Sequence, residues 1–446
     1  MNDAEVIESI TLTNTEQQSA KRVLIIGASG FIGRHIVGAI IRAGHHVWAA
    51  SRSAQQLSTA TPMAIDLTQH GLSDLIKMLN GIDVVINCAG LIQSQGQNTL
   101  AKVHDEGAAR LIQACSSANV TRLIHLSAIG VSEQGTTAYQ RTKAAAEQSL
   151  RRVNKQHLDW CILRPSLVIG RGGTSSQMLT ALAALPFPPR MGKGLYQTQP
   201  LHIDDLSALV VHLIEQLPPL PDSIELVGPE PLSTDQLINT LRTWLGLPPR
   251  PFMPIPDWVL NVSAVLSERM INAPLNRDVL TMLRQEIKGD ATAFTQALGR
   301  PPTALAQALA KQPASSSDKQ GAHLYLLRTP LRWSLGLLWL IAGLLSFGLY
   351  PVEKSLEMLS HLHITGGSAL ALLYSAAFWD MLLGVLLLVR FRPVLVGGIQ
   401  LLTLFTFSVL AIGLPAEYWL HPFTPLVKNL PIAAATLVMM ALEKGR

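Results

Sequence analysis

The sequence has little of what disulfide-bonded, metal-binding or nucleic-acid-binding proteins need. It contains only three cysteines in 446 residues, and none lies in a CxxC or Cys/His spacing. This scarcity argues against a disulfide framework, and we expect reduced thiols and no bound metal. Charged residues make up only 15% of the chain, and the basic ones are scattered although the net charge is +5. Without a basic cluster that carries interleaved aromatic residues, no nucleic-acid partner is expected.

The apolar residues are concentrated towards the C-terminal end. Hydrophobic residues make up 48% of the sequence, and four long apolar stretches follow a serine-containing linker over residues 312–328. Each stretch is long enough to cross about 30 Å of hydrocarbon. The alternative, a buried helical bundle in a soluble protein, seldom has four such lengths in succession. We therefore predict a membrane domain over 329–446. Its four transmembrane helices are expected at about 331–351, 366–389, 393–415 and 422–442.

Positive charge flanks these spans unevenly. Lys and Arg residues lie before the first span, between the second and the third, and after the fourth. Because connections rich in Lys and Arg stay on the cytoplasmic side, we expect a multi-pass protein in a lipid bilayer, with its N-terminal part in the cytoplasm. The residues concerned are Arg328, Arg332, Arg390, Arg392, Lys444 and Arg446.

Residues 21–311 alternate as an α/β domain does. Short apolar runs predict strands at about 22–27, 46–51, 63–66, 83–89, 122–128, 159–164 and 224–228. Helical patterns predict helices at about 31–43, 72–80, 99–118 and 138–155. This order predicts a Rossmann-type, doubly wound parallel sheet with helices on both faces. After Arg164 the alternation loosens, which predicts a small C-terminal substrate subdomain. The polar residues 1–20 predict a disordered tail.

A glycine-rich turn lies between the first strand and the first helix. Such glycines let the backbone approach a pyrophosphate, and the N-terminus of the following helix offers N–H donors to the phosphates. A glycine triad alone is a weak signal, but its place between a strand and a helix makes it specific. The turn therefore predicts a bound dinucleotide. Its expected contacts are Gly27, Ser29, Gly30, Phe31, Ile32 and Gly33.

The end of the second strand bears on the choice of dinucleotide. An acidic residue there would bind a ribose 2′-hydroxyl, whereas Arg52 favours a 2′-phosphate. Arg34 is expected to reach the same phosphate, so NADP is preferred over NAD. The alternative is that both arginines merely line the surface. Other expected cofactor contacts lie at the ends of the second, third and fourth strands: Ser51, Asp66, Leu67, Asn87, Ala89 and Gly90.

Ser127, Tyr139 and Lys143 carry the catalytic signal. Tyr139 and Lys143 are four residues apart on a predicted helix and share a face. A neighbouring ammonium is expected to lower the pKa of the phenol, which suits a proton donor in carbonyl reduction. Ser127 ends the fifth strand, at the sheet edge where ligands bind. As an isolated pair, the tyrosine and lysine are more often found on an ordinary surface helix.

These motifs together resemble the short-chain dehydrogenase/reductase superfamily, whose extended and atypical branches carry the pattern GxxGxxG. The runs 163–170, 201–205 and 227–229 are similar to later landmarks of that superfamily. The likeness is strongest to atypical members related to the nucleotide-binding accessory subunit of respiratory complex I. The C-terminal spans resemble the DoxX-like membrane domain, and this combination implies a bacterial cytoplasmic (inner) membrane.

The resemblance also implies roles for single residues. Tyr139 would be the acid/base, and Lys143 would hold the nicotinamide ribose. Ser127 would orient the substrate, while Pro165 and Val168 would lie near the nicotinamide.

Three functions are compatible with this sequence. The preferred one is a membrane-anchored, NADP-dependent oxidoreductase that acts on a small or lipophilic carbonyl, alcohol or quinone-like substrate. The second is a structural or redox-sensing protein that binds NAD(P)H without turnover. The third is an NAD(P)-dependent epimerase or dehydratase, which would use the same tyrosine and lysine. The membrane spans also leave room for a membrane-protein partner.

Overall fold

A computed structural model describes residues 20–94, 96, 98–268, 276–415 and 427–444. The chain forms two compact units, which divide between Ala322 and His323. The tail predicted for residues 1–20 lies outside the described residues, apart from Ala20.

The first unit is built on short strands. They are β1 (Arg22–Ile26), β2 (His46–Ser51), β3 (Thr61–Ala64), β4 (Val84–Asn87), β5 (Arg122–Leu126), β6 (Asp159–Pro165), β7 (Val168–Ile169), β8 (Pro189–Arg190), β9 (Gln197–Thr198), β10 (Leu201–His202), β11 (Ser223–Leu226), β12 (Leu232–Ser233) and β13 (Met253–Pro254). Seven of them form one sheet in the order β11-β6-β5-β4-β1-β2-β3. Every pairing in this sheet is parallel, which confirms the predicted fold class.

Twelve helices accompany these strands in the described part of the first unit and its junction. They are α1 (Phe31–Arg42), α2 (Leu72–Met78), α3 (Gly107–Ser117), α4 (Ala138–Arg151), α5 (Thr174–Ala184), α6 (Ile203–Glu215), α7 (Thr234–Trp244), α8 (Asp257–Glu268), α9 (Arg277–Arg284), α10 (Thr292–Leu298), α11 (Leu305–Ala310) and α12 (Ser316–Tyr325). A π-helical turn, Ala101–Glu106, precedes α3, and a 3₁₀ turn lies at Gly192–Gly194. Helices 72–80 and 138–155 were predicted too long at their C-terminal ends.

Both faces of the sheet are covered. Val23 and Ile25 point into one apolar core, and Leu24 and Ile26 point into another on the opposite face. This explains the continuous apolar strands, since each neighbour along the strand enters a different core. A third apolar core, separate from the sheet, lies within the segments that follow Arg164 and joins residues such as Leu179, Leu237 and Leu260.

The stretch predicted as a linker, 312–328, contains the helix α12. The hydroxyl of Ser315 accepts from the backbone N–H of Asp318 (3.2 Å), and the Asp318 carboxylate accepts from the backbone N–H of Ser315 (2.8 Å). This reciprocal pair is a capping box, which begins a helix. Asp318 also binds Arg171 (Nη2–Oδ2 2.9 Å), so this segment is held to the first unit.

The described part of the second unit is helical. Its helices are α13 (Arg328–Leu344), α14 (Val352–Ser360), α15 (Gly366–Leu388), α16 (Pro393–Ala411) and α17 (Asn429–Glu443), with a π-helical turn at Leu345–Leu349 after α13. Three described helices are long and apolar enough to cross a membrane: Arg328–Leu349, Gly366–Leu388 and Pro393–Ala411. Of the predicted fourth span, residues 422–426 lie outside the described residues, and α17 is a shorter apolar helix.

A buried ion triad fixes the topology of the second unit. Glu443 at the end of α17 accepts from Arg332 (Oε1–Nη1 3.0 Å) and from Arg390 (Oε2–Nη2 3.2 Å). Arg332 is near the start of α13, and Arg390 follows α15. The start of the first span, the second connection and the end of α17 therefore meet at one end of the bundle. The cytoplasmic side that the charge pattern indicates for all three stays a prediction.

The division at Ala322 leads to a prediction about truncation. A chain cut after Ala322 should be soluble and should bind dinucleotide, because each face of the parallel sheet has its own apolar core within the first unit. Fractionation of the expressed fragment and a cofactor titration measure both properties. An aggregated fragment without dinucleotide binding would show that the boundary is misplaced.

Candidate functional site

The turn between β1 and α1 leaves no room for side chains at two glycines. Gly27 has a φ of +77°, and a Cβ there would lie 2.9 Å from the backbone nitrogen of Ala89. A Cβ at Gly33 would lie 2.3 Å from the carbonyl oxygen of Gly27. Gly30 caps α1 without a side-chain hydrogen bond, so the first N–H groups of the helix are available to an anion. Ser29 is exposed beside them.

The other residues of this turn pack as a Rossmann helix requires. Phe31 and Ile32 are half-buried and contact the core of one sheet face. The cradle that only glycine can form and the free helix N-terminus both fit the pyrophosphate of a dinucleotide.

The two predicted phosphate arginines differ in their surroundings. Arg34 donates from Nη2 to the carbonyl oxygen of Gly172 (2.9 Å), so its guanidinium is directed to the turn after β7. Arg52 is exposed and makes no hydrogen bond or ion pair with the residues that the structure describes. Ser51, just before it, accepts a hydrogen bond at Oγ from the backbone N–H of Gln55 (3.1 Å). Arg52 is therefore the arginine that is free to meet a phosphate.

Polar side chains shape the loops at the ends of β3 and β4. Asp66 Oδ1 accepts from the backbone N–H (2.9 Å) and the hydroxyl (2.7 Å) of Thr68, which fixes the turn that also contains the buried Leu67. Asn87 Oδ1 accepts from the backbone N–H of Ala89 (3.1 Å). β4 ends at Asn87, not at residue 89 as predicted, because this side-chain bond takes the place of the ladder bond.

The structure brings Ser127 and Lys143 to one place. Lys143 is 4% exposed, and its Nζ donates to the carbonyl oxygen of Leu126 (2.8 Å), next to Ser127. Ser127 Oγ is buried without a hydrogen-bond partner among the described residues. A Cβ at Gly90 would lie 3.5 Å from Lys143 Nζ. The ammonium, the hydroxyl and the loop after β4 thus lie close together, and we call this region the space around Ser127.

Tyr139 stands one helical turn before Lys143 on α4. The helix begins with a capping box between Thr137 and Gln140, which fixes the first turn and so the position of Tyr139. Its half-buried ring packs against the small apolar cluster of Ala128, Val131 and Ala144, which begins one residue after Ser127. Ser127 itself follows β5, which ends at Leu126.

The expected pKa of the tyrosine is wrong. Burial raises the pKa of Tyr139 to about 12, whereas a neighbouring ammonium was expected to lower it. The reason is that Lys143 donates its hydrogen bond to a backbone carbonyl, and burial lowers the pKa of Lys143 itself to about 8, although Cys88 and Glu147 act in the opposite direction. In the ligand-free protein the phenol is therefore a proton donor at neutral pH.

His104 belongs to the site and was missed in the sequence. Its Nε2 accepts from the backbone N–H of Leu91 (2.8 Å), so Nδ1 carries the proton and donates to Thr142 Oγ1 (3.2 Å). The ring also meets Tyr139 edge-on, with 5.5 Å between centroids. Burial lowers the pKa of His104 far below its usual value, so the ring is neutral. It lies in the π-helical turn before α3, an irregularity common at functional sites.

A segment after α9 covers the loop between β5 and α4. Gln140 Nε2 donates to the carbonyl oxygen of Gly130 and to Gln285 Oε1, each at 3.1 Å. A Cβ at Gly130 would lie 2.3 Å from Cδ1 of Ile287. Both contacts join the segments after Arg164 to the loop that carries Ser127, where a substrate subdomain is needed.

The strands near the predicted nicotinamide pocket support the same loop. The carbonyl oxygen of Pro165 accepts from the backbone N–H of Ile129 (3.0 Å), and the half-buried Val168 lies in β7, paired with β10. Pro165 and Val168 thus flank the end of β6, next to the loop after β5.

Two families of known proteins match separate parts of the chain. Residues 23–222 match the NAD dependent epimerase/dehydratase family, and residues 336–437 match the DoxX-like family. The chain is 24% identical over 262 residues to subunit 9 of the NADH dehydrogenase [ubiquinone] 1 alpha subcomplex from Dictyostelium discoideum, covering 56% of this chain and 71% of that one. It is 28% identical over 193 residues to ceramide reductase from Caulobacter vibrioides, covering 42% and 59%.

Solved structures show the same fold. UDP-glucuronic acid 4-epimerase from Bacillus cereus, in complex with UDP-glucuronic acid and NAD, superposes with a TM-score of 0.50 at 19% identity, over 69% of this chain and 99% of that one. This likeness concerns the fold of the first unit alone.

Proposed function

From a chain that joins a domain of the NAD dependent epimerase/dehydratase family to a DoxX-like membrane domain, we propose a membrane-anchored, NADP-preferring oxidoreductase. Its substrate is a lipophilic carbonyl compound or the corresponding alcohol. The observation that carries the proposal is the space around Ser127. A buried hydroxyl without a partner among the described residues, a buried ammonium and a protonated phenol stand at the carboxyl edge of a sheet that fits a dinucleotide.

The residues of this space have separate tasks in the proposed reaction. Ser127 Oγ donates to the carbonyl oxygen of the substrate. The substrate thus gives the buried hydroxyl the hydrogen-bond partner that it does not find among the described residues. Tyr139 transfers its phenolic proton to that oxygen as the carbonyl is reduced. Lys143 binds the nicotinamide ribose, and His104 positions the turn of α4 that carries both side chains. The bound nicotinamide supplies the hydride.

The presence of a membrane domain favours a lipophilic substrate. A carbonyl compound dissolved in a bilayer is concentrated near an enzyme that is anchored there. The matched relative from Caulobacter vibrioides is a ceramide reductase, and ceramides are lipids, so a lipid carbonyl is within the range of related proteins. We place the protein in a bacterial inner membrane as a multi-pass protein with its enzyme domain in the cytoplasm.

The activity is tested with the full-length protein in liposomes that contain a long-chain ketone or aldehyde. We expect NADPH to be consumed in equal amount to the alcohol formed. Retention of the dinucleotide without any consumption would indicate a structural or redox-sensing protein. Conversion of a nucleotide-sugar such as UDP-glucuronic acid without net consumption would indicate an epimerase.

Replacement of Arg52 by alanine tests the choice of cofactor. The R52A protein should bind NADPH about ten- to a hundredfold more weakly, because a charge-assisted hydrogen bond to the 2′-phosphate is worth about 1.5–3 kcal/mol. Binding of NADH should stay nearly unchanged. Fluorescence titration with both cofactors measures this, and Arg152→Ala, an exposed arginine after α4, is the matched control. If R52A weakens the binding of NADPH and NADH equally, Arg52 does not bind the 2′-phosphate.

A further inference from the structure

The charged end of the second unit opens into a groove of about 800 Å³. Its lining is basic at one end and apolar along the rest, and includes Arg390, Arg392, Leu395, Gly398, Leu402 and Glu443. All of these residues belong to the second unit, far in the sequence from the dinucleotide site.

Among the residues that the structure describes, the basic end carries a net positive charge. Glu443 is shared between Arg332 and Arg390, so one carboxylate faces two guanidinium groups. Arg392 makes no hydrogen bond or ion pair within the described part of the chain, and its guanidinium stacks on Phe391 at 5.8 Å. Three arginines and one glutamate leave two positive charges beside the groove.

The backbone places the two lining arginines at the entrance of the groove. Arg390 and Arg392 have φ values of +61° and +39°, a left-handed conformation that is uncommon for residues other than glycine. This tight connection turns the chain directly into α16, which begins at Pro393 without a side-chain cap. The free N–H groups of that helix start add to the positive potential.

The apolar part of the groove runs along α16. Leu395, Gly398 and Leu402 are spaced by three and four residues and therefore share one face of the helix. Leu395 and Leu402 are 52% and 66% exposed, and a Cβ at Gly398 would meet no atom within 4 Å. Over seven residues this face extends about 10 Å, which suits part of an acyl chain.

We propose that this groove binds an anionic glycerophospholipid. Its phosphate lies on Arg392 and Arg390, and one acyl chain lies along Leu395 to Leu402. Charge favours this occupant over a zwitterionic lipid, since basic pockets between membrane helices attract anionic headgroups. The arginines lie in the connection between two helices that are long and apolar enough to cross a membrane, where basic residues are expected near the headgroups. The proposal does not depend on the proposed oxidoreductase activity.

The test is a lipid titration of the purified full-length protein in detergent, followed by native mass spectrometry. We expect phosphatidylglycerol to bind at least about fivefold more tightly than phosphatidylcholine of the same chains, because each arginine at a surface contributes about 1 kcal/mol to anionic lipid binding. Arg392→Gln should remove about fivefold of the affinity for phosphatidylglycerol and leave phosphatidylcholine unchanged. Lys354→Gln, the same loss of charge on the exposed helix α14, should change neither.

A second pair of variants tests the acyl part without altering charge. Gly398→Leu fills the groove and should lower the affinity for phosphatidylglycerol at least fivefold. Gly367→Leu adds the same side chain where the first turn of α15 also has open space, and should have no effect. Equal binding of the two lipids to the parent protein would overturn the proposal. So would an equal effect of Lys354→Gln and Arg392→Gln, or an unchanged affinity in Gly398→Leu.

Discussion

Replacement of Tyr139 by phenylalanine should reduce turnover by about a hundredfold or more, while cofactor affinity and thermal stability stay near those of the parent protein. The ring packs against the cluster of Ala128, Val131 and Ala144, and phenylalanine keeps that packing. What it loses is the phenolic proton, and general acid catalysis is worth about 10²–10⁴-fold in rate. Initial rates of NADPH consumption in liposomes, with a cofactor titration of the same preparation, measure the effect.

Tyr196→Phe is the control for this experiment. Tyr196 is also half-buried in the first unit, but it lies outside the space around Ser127, so its variant should keep the parental rate. If Tyr139→Phe turns over as fast as Tyr196→Phe, then Tyr139 has no role as an acid and the oxidoreductase proposal is lost.

Replacement of Lys143 by methionine should have the second largest effect and should separate function from stability. We expect affinity for the dinucleotide to fall at least tenfold and turnover to fall with it, since the ammonium that would hold the ribose is gone. Thermal stability of the ligand-free protein at pH 7 should not fall, because methionine removes a buried charge whose burial is unfavourable. Calorimetric titration and thermal unfolding measure the two effects.

The pKa of Lys143 also predicts the direction in which stability changes with pH. The pKa of Lys143 is about 8 in the folded protein, below its ordinary value of 10.5. Between these two values the unfolded chain binds more protons, so the contribution of Lys143 to stability becomes more favourable as pH rises from about 8 to about 10.5. The full change is up to about 3 kcal/mol. The Lys143→Met protein should lack this rise, whereas Lys77→Met, at an exposed lysine of α2, should keep it. A parallel rise in both variants would contradict the assignment.

The parallel sheet was predictable because local patterns and tertiary structure agree there. Apolar residues at consecutive positions, such as Leu24 and Ile25, fill cores on opposite faces of the sheet. β3 begins at Thr61, two residues before the predicted strand 63–66, and it contains Pro62. The order of the sheet leaves β3 at an edge, where a proline is tolerated because one side of the strand has no hydrogen-bonding neighbour.

Residues of the candidate site could be predicted only where the residue type and its spacing are themselves typical of the function. Glycines between a strand and a helix, and a tyrosine four residues before a lysine, are typical in this way. His104 does not, because a single histidine in a helical pattern has the same appearance as a core residue. Its role depends on contacts with Leu91 and Thr142, which are distant in sequence. The spacing of Ser315 and Asp318 is typical of a capping box and could have predicted the start of α12. The serine-rich composition of the segment favoured a linker instead.

The transfer of a labelled hydride tests the central claim most directly, and it works even when the substrate has not been identified. Full-length protein in liposomes is incubated with a lipid extract and NADPH deuterated at C4, in separate reactions for each of the two faces of the ring. We predict that deuterium from one of the two labelled forms appears on a carbon that bears a new hydroxyl group in an extracted lipid. Mass spectrometry detects it, and the product should be missing from the Tyr139→Phe reaction. Tight binding of NADPH without transfer of deuterium to any lipid, in both reactions, would contradict the account.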